Sequence, residues 1–287
     1  MSTFNYVCIP GHFSHDDVER SPLPAVPERF GLKDSAPDRW ETFFQSVRRL
    51  NAERPDGVFH KFFLLSRHGQ GYHNVAEAKY GTQAWDDYWS KLNGDDKIVW
   101  GPDPLLTPTG KDQAHAIQHA WSTETSFGLP PPHRRYCSPL SRALDTSDII
   151  FGTEGIHPHP VLVVENCREE NGVHTCDKRK TRSYIESYKP SFAIEDTLTE
   201  TDELWSKDIR ETKKQVAERA EKVLDRIFDE NQDEIFISIT AHGGWINGFL
   251  TAIGRNVYPL PTGGVLPVLV KGTKIPRNDC GSAPNVL

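Results

Sequence analysis

Apolar positions divide the chain into alternating helical and extended stretches. Trp40, Phe43, Phe44, Val47 and Leu50 recur at three- and four-residue steps, predicting an amphipathic helix whose start signal is Ser35 and Pro37. Residues 62–65 are a short, wholly apolar run, the mark of a strand buried on both faces. A helix is expected over about 74–91. Thr107-Pro108-Thr109 opens another, with Ala114, Ile117 and Trp121 on one face. Residues 135–137 read as a short strand leading into a helix over 139–150, and 161–164 as a further buried strand. A long amphipathic helix over 208–230 passes through Val216, Val223, Leu224, Ile227 and Phe228. Residues 234–241 contain a fourth strand, a helix opens after Gly243-Gly244, and 265–270 suit a last strand.

Strands alternating with helices predict the α/β class, with a mostly parallel central sheet flanked by helices. The 287 residues show no internal repeat and no linker, which favours one elaborated domain. Residues 1–58 read as a Pro-rich extended arm and a helix packed on that domain, 59–272 as the domain itself, and 273–287 as a loose C-terminal tail. The polar, irregular stretch 166–205 reads as an insertion over one end of the sheet. Trp85, Trp89 and Trp100 are expected to pack a second insertion, at about 75–105, against the sheet.

Composition narrows the function. The chain has 33 basic and 40 acidic side chains, a net charge of −7, and so no footprint for nucleic acid or an anionic membrane. No stretch reaches the roughly 20 apolar residues of a membrane span, and the start lacks a basic-then-apolar leader. Five scattered Cys fit a reducing compartment, so a cytoplasmic location is expected, with the nucleus as a second one. Cys167, His174 and Cys176 are too few and wrongly spaced for a structural zinc site, and no metal or cofactor is expected.

Four segments end a predicted strand with reactive or basic residues and then turn into a helix: Ser66-Arg67-His68-Gly69, Ser138-Pro139-Leu140-Ser141-Arg142, residues 165–170, and Ala241-His242-Gly243-Gly244. In open parallel sheets the carboxyl ends of the strands form the ligand site, so these segments should converge. Two His, two Arg and a carboxylate suit phosphoryl transfer through a phosphohistidine. A neutral imidazole is a nucleophile near pH 7, guanidinium forks clamp phosphoryl oxygens, and a carboxylic acid can protonate a leaving alkoxide.

Those segments carry a family resemblance. Leu65-Ser66-Arg67-His68-Gly69-Gln70-Gly71-Tyr72-His73-Asn74 resembles the RHG motif of the histidine phosphatase superfamily, the phosphoglycerate-mutase-like proteins. Leu106-Thr107-Pro108-Thr109-Gly110 resembles its L-T-x-x-G helix start, Ser138 to Thr146 its S-P-L-x-R-A-x-x-T, and His242-Gly243-Gly244 its late histidine motif. The block from Cys167 to Arg179 and the early Pro-Gly-His-Phe resemble fungal members labelled probable phosphomutases. Cys167 stands where that family block usually has Leu. The resemblance implies a phosphoglycerate-mutase-like fold and roles residue by residue. His68 would be the phosphorylated nucleophile, with Arg67, Arg142 and His242 binding the phosphoryl group. Asn74 and Gln70 would contact substrate, and Glu169 would be the acid and then the base, with Glu170 and Glu165 as neighbouring alternatives.

The expected activity is a metal-independent phosphatase acting on a small phosphorylated molecule, monoester or diphosphate. The alternatives are a phosphoglycerate-type mutase and a non-catalytic phospho-ligand-binding protein. Mutases of the family usually read R-H-G-x-S-x-W-N, unlike the Gln70-Gly71-Tyr72-His73-Asn74 loop here. The basic run Lys178, Arg179, Lys180 and Arg182 is either a solvated loop or a reader of extra negative charge.

Overall fold

A long buried strand, β2 (Val58–Arg67), anchors the sheet: only its last residue is not fully buried. Its alternation of side chains supplies both faces of the core. Phe62 and Leu64 face one helical layer with Trp40, Phe44 and Ile117, while Phe63 and Leu65 face the other with Val223, Leu224 and Phe249. A strand covered on both sides reads as continuously apolar, which is why 62–65 marks it and the polar His60 and Lys61 hide its earlier start. Lys61 is buried and donates from Nζ to the Glu234 carbonyl at 2.6 Å.

The computed structural model describes residues 2–17, 23–152, 159–230 and 232–276. Before β2 come β1 (Phe4–Ile9) and α1 (Arg39–Ala52). After it follow α2 (Tyr72–Tyr80), α3 (Thr82–Asp87), α4 (Pro108–Thr125), β3 (Arg134–Cys137), α5 (Ser141–Phe151) and β4 (Leu162–Val163). The chain then runs through α6 (Arg182–Tyr188), β5 (Ala193–Ile194), α7 (Lys213–Glu230), β6 (Phe236–Ala241), α8 (Gly243–Ala252) and β7 (Val265–Lys274). The strands lie in the order β1-β7-β2-β6-β3-β4-β5. β2, β6, β3, β4 and β5 are mutually parallel, and β7 pairs antiparallel with both β2 and β1. This is the single α/β domain with a mostly parallel sheet that the pattern predicts.

Several expectations change in detail. The N-terminal arm is not merely laid on the domain. Phe4 and Tyr6 alternate with exposed Asn5 and Val7, and the segment enters the sheet as an edge strand. The helix expected over 74–91 is two, divided at Gly81, whose φ of +82° no helix continues through. The insertion 166–205 also joins the sheet, through β5. Trp85, Trp100 and Cys176 form a separate satellite cluster with Ala76, instead of packing on the sheet. The last strand runs on to Lys274, so the expected tail starts later, and residues 277–287 lie outside the described part.

The layer of α1 and α4 is tied by a buried ion pair far from the strand ends. Arg39 donates from Nε and Nη2 to Glu124 at 2.8 Å, and Trp40 Nε1 donates to the same carboxylate at 2.7 Å. Removing one partner strands the other charge in the core. Glu124→Ala should therefore lose about 3–5 kcal/mol of stability, and Arg39→Met/Glu124→Leu should recover most of it. Urea denaturation checks this; a loss below 1 kcal/mol in the single variant would contradict the pair's role.

Candidate active site

Parallel strands end on one side of a sheet, and here β2, β3, β4 and β6 deliver their following residues to the same place. Arg67 and His68 leave β2, Ser138 leaves β3, residues 165–170 leave β4, and His242 leaves β6. The rings of His68 and His242 lie with centroids 5.0 Å apart, and His73 is 5.5 Å from His68. Arg67 lies against Gly243, where an added Cβ would come 3.3 Å from its Cζ. The sequence-predicted His68, His242, Arg67 and Glu169 thus gather at one end of the sheet.

The loop after β2 is held without using its chemistry. Gly69 N–H donates to the Thr146 hydroxyl at 3.1 Å, Gln70 N–H to Gln113 at 2.7 Å, and Thr107 N–H to the Gln70 carbonyl at 2.9 Å. Gly69 and Gly110 allow this approach, because a Cβ on either would collide with the backbone of the other segment. The Gln70 side-chain oxygen accepts from the Thr107 hydroxyl at 2.8 Å, and Asn74 Oδ1 accepts from Gly71 N–H at 3.0 Å. Both residues were expected on substrate; their observed bonds shape the loop.

His68 Nδ1 lies 2.7 Å from the Gly69 carbonyl. A carbonyl only accepts, so Nδ1 carries the proton and the lone pair is on Nε2, which has no partner among the described residues. His242 Nε2 lies 2.7 Å from the Ser138 hydroxyl, whose oxygen already accepts from Leu140 N–H. A hydroxyl can accept a second bond or give its proton, so this contact fits either His242 tautomer, and Nδ1 is buried without a partner among the described residues. Burial first, then the guanidiniums of Arg142 and Arg67, hold His68 well below the usual imidazole range. Burial and Arg142 do the same for His242 and His73.

Arg142 is itself 1% exposed. Nη1 donates to the Cys176 carbonyl at 2.7 Å and Nη2 to Asp177 at 2.9 Å, while Nε has no partner. A guanidinium has five N–H groups, so three remain to bind an anion. Arg67 spends one on the Leu260 carbonyl, at 2.7 Å.

Three carboxylates compete for the acid's place, and their partners separate them. Glu165 is paired with Arg168 and Arg179, and Glu170 with Lys213 and Arg210. Glu169 has no ion pair among the described residues; its oxygens accept only the backbone N–H groups of Glu170 and Gly244, each at 3.0 Å. Burial, then the charge of Asp177, push Glu169 above the usual carboxylate range, against the Gly244 bond.

Asp177 and Arg210 were not anticipated. Burial opposes ionisation of Asp177, but Arg210 and Arg142 outweigh it and hold the carboxyl below its ordinary range. Arg210 donates to Asp177 at 2.9 Å and to the carbonyls of Glu170 and Gly172. Asp103 is a further buried group, accepting from the Ser141 N–H and hydroxyl at the start of α5. Burial raises it to about 6. The metal-ligand candidates regroup: Cys167 is in the core beneath the sheet, and Asp177 joins His174 and Cys176, their ligand atoms within 4.8 Å of one another. Asp177 already bears two guanidiniums.

A model of the histidine phosphatase superfamily, branch 1, matches residues 63–258. The chain belongs to that superfamily. Among its relatives, "Probable phosphoglycerate mutase" of Arthroderma benhamiae is 41% identical over 284 residues, covering 93% of this chain and 84% of that protein. "Phosphomutase-like protein 3" of Candida albicans is 36% identical, covering 76% and 69%. "Probable phosphoglycerate mutase PMU1" of Saccharomyces cerevisiae is 33% identical, covering 81% and 84%. A superfamily fold of this kind supports an enzyme of the phosphatase or mutase type. No helix among the described residues is long and apolar enough to cross a membrane.

Gly244 fixes the position of Glu169, because a Cβ there would overlap its Oε1. Gly244→Ala should displace the carboxylate and lower kcat/KM for phosphoryl transfer about 10–100-fold. The thermal unfolding midpoint, read beside the rate, shows whether the fold survives. Unchanged kinetics would mean that Glu169 does not act where it stands.

Proposed function

We propose that this chain is a metal-independent phosphatase that hydrolyses a small phosphate ester through phospho-His68. The observation that carries the proposal is the pairing of protonation states. His68 is held neutral with its lone pair on Nε2, while Glu169, alone of three neighbouring carboxylates, is free of ion pairs and pushed toward its protonated form.

In the first step His68 Nε2 bonds to phosphorus as the P–O ester bond breaks, and the Glu169 carboxyl gives its proton to the departing oxygen. The free N–H groups of Arg67 and Arg142, with the His242 ring beside them, hold the equatorial oxygens and stabilise their charge. In the second step Glu169, now a carboxylate, takes a proton from water as the water oxygen attacks phosphorus. The N–P bond breaks, releasing inorganic phosphate and neutral His68. The positive charge comes from side chains already in place, so the scheme requires no metal.

The names of the relatives support a second reading, a phosphoglycerate-type mutase, in which the alcohol stays and is rephosphorylated. The third, non-catalytic binding, requires the Nε2 of His68 and the Glu169 carboxyl to serve no purpose.

Phosphate release from a panel of phosphomonoesters and diphosphate esters with excess chelator should persist in wild type and fall at least about 10³-fold in His68→Ala. Wild type quenched in base should carry an acid-labile phosphoryl group on His68. Release that survives His68→Ala would sink the mechanism; isomerised phosphoglycerate in place of free phosphate would move the chain to the mutases.

The pH profile has a worked sign. Activity requires protonated Glu169, so kcat/KM falls as pH rises through its raised pKa. Asp177 supplies part of that elevation, and Asn cannot. Asp177→Asn should therefore move the alkaline limb to lower pH while the substrate's own titration stays common to both proteins. A limb that stays in place would show that another group controls it.

A further inference from the structure

A concavity of about 350 Å³ is lined by Tyr72, the residue before His73, together with Asp103, Leu105, Lys180 and Tyr184. Its walls continue the two segments that bear His68 and Arg142. Tyr72 follows Gly71 in the loop after β2, and its N–H donates to the Leu105 carbonyl. Asp103 lies in the floor, and its carboxylate holds Ser141, the residue before Arg142. Tyr184 of α6 closes the far wall, its phenol within electrostatic reach of both Asp103 and Ser141.

The lining has a specific chemistry. Tyr72 and Tyr184 are 39% and 38% exposed, large aromatic side chains left partly open to solvent in this lining, and Leu105 and Val99 are more exposed still. Open apolar surface concentrated in one concavity marks a ligand site more than scattered exposure does. The charge is equally selective. Of the basic run, Arg179 is consumed by Glu165, Thr199 and Thr201, Arg182 by Glu186 and two carbonyls, and Lys178 lies over the Trp205 ring. Lys180 lines the groove, 5.7 Å from the Tyr184 ring, and has no ion pair among the described residues.

We infer that this groove is a leaving-group subsite that selects a phosphate ester whose alcohol is flat and aromatic and carries a second anionic group. It rests on the phosphatase reading for the position of the phosphoryl group. The ring lies between Tyr72 and Tyr184, over Leu105, where aromatic contact is favourable. The second anion meets the Lys180 ammonium at the rim. Asp103 lies buried in the lining with Ser141 donating to it, and the Lys180 charge acts on this carboxylate as well as on the incoming anion.

Three monoesters of similar leaving-group acidity separate these contributions: ethyl, benzyl and 4-carboxybenzyl phosphate. Wild type should rank kcat/KM as 4-carboxybenzyl above benzyl above ethyl. Lys180→Ala should lower the 4-carboxybenzyl to benzyl ratio about 3–5-fold, the size of a partly exposed ion pair. Tyr184→Leu should lower the benzyl to ethyl ratio about 3–10-fold. Equal wild-type rates for the three esters, or ratios unmoved by both substitutions, would overturn the subsite.

The phosphatase reading can fail separately, and binding then decides. Calorimetry of His68→Ala with 4-carboxybenzylphosphonate should show saturable binding that weakens about 3–5-fold when Lys180→Ala is added. Binding of that kind without turnover would keep the subsite and discard the hydrolase. No difference between the two proteins would discard the subsite whatever the reaction.

Discussion

Arg142 places a full positive charge where its side chain is 1% exposed, and a charge so buried needs a counter-charge and hydrogen bonds to remain ionised. Asp177 and the Cys176 carbonyl supply them. The arrangement has effects in three directions. Burial first, and then the guanidinium, depress the imidazoles of His68, His73 and His242. Burial first, and then the carboxylate that balances it, lift Glu169. Arg210, on the far side of Asp177, gathers the carbonyls of Glu170 and Gly172, so the segment carrying the acid is held by the same charges that set its protonation. One buried ion pair thereby adds to burial in opposite senses, on the imidazoles and on Glu169, within one site.

Much of this was readable in the chain. Runs such as 62–65 and 235–237 are apolar because their strands are covered on both faces, and four strand ends carrying His, Arg or Glu need only a parallel sheet to bring them together. What pattern could not give was pairing through space. Nothing local distinguishes Glu169 from Glu170 or Glu165; they differ only in which guanidinium or ammonium lies opposite, and those come from residues 168, 179, 210 and 213. Asp177 and Arg210 escaped for the same reason. β5, two residues long, has too few positions to show a period, and β1 was obscured by the Pro-rich stretch behind it, although Phe4 and Tyr6 alternate as an edge strand should.

The insertion 166–205 does more than cover the pocket. It supplies Glu169 and Asp177 to the chemistry, β5 to the sheet edge, Lys180 and Tyr184 to the neighbouring groove, and the cluster of Arg168 and Arg179 with Glu165 and Asp202 to its own rigidity. Arg179 of the basic run is buried, as is Arg168 before it, so part of what reads as a basic surface is internal scaffolding. Glu169 and the Lys180–Tyr184 side of the groove are therefore built on one continuous piece of chain. A change made for one is felt by the other.

The sheet order β1-β7-β2 puts the last strand between the first two. β7 also brings the segment before it under the nucleophile loop: Arg67 bonds to the carbonyls of Leu260 and Gly264, and Gly263 N–H to that of His68. During synthesis, then, the first strand has no neighbour to pair with, and the loop bearing His68 has no support, until the residues up to about 274 have left the ribosome. A chain made only as far as β6 therefore holds the loop bearing His68 without the bonds that residues 260–264 give it, and β1 without its partner strand.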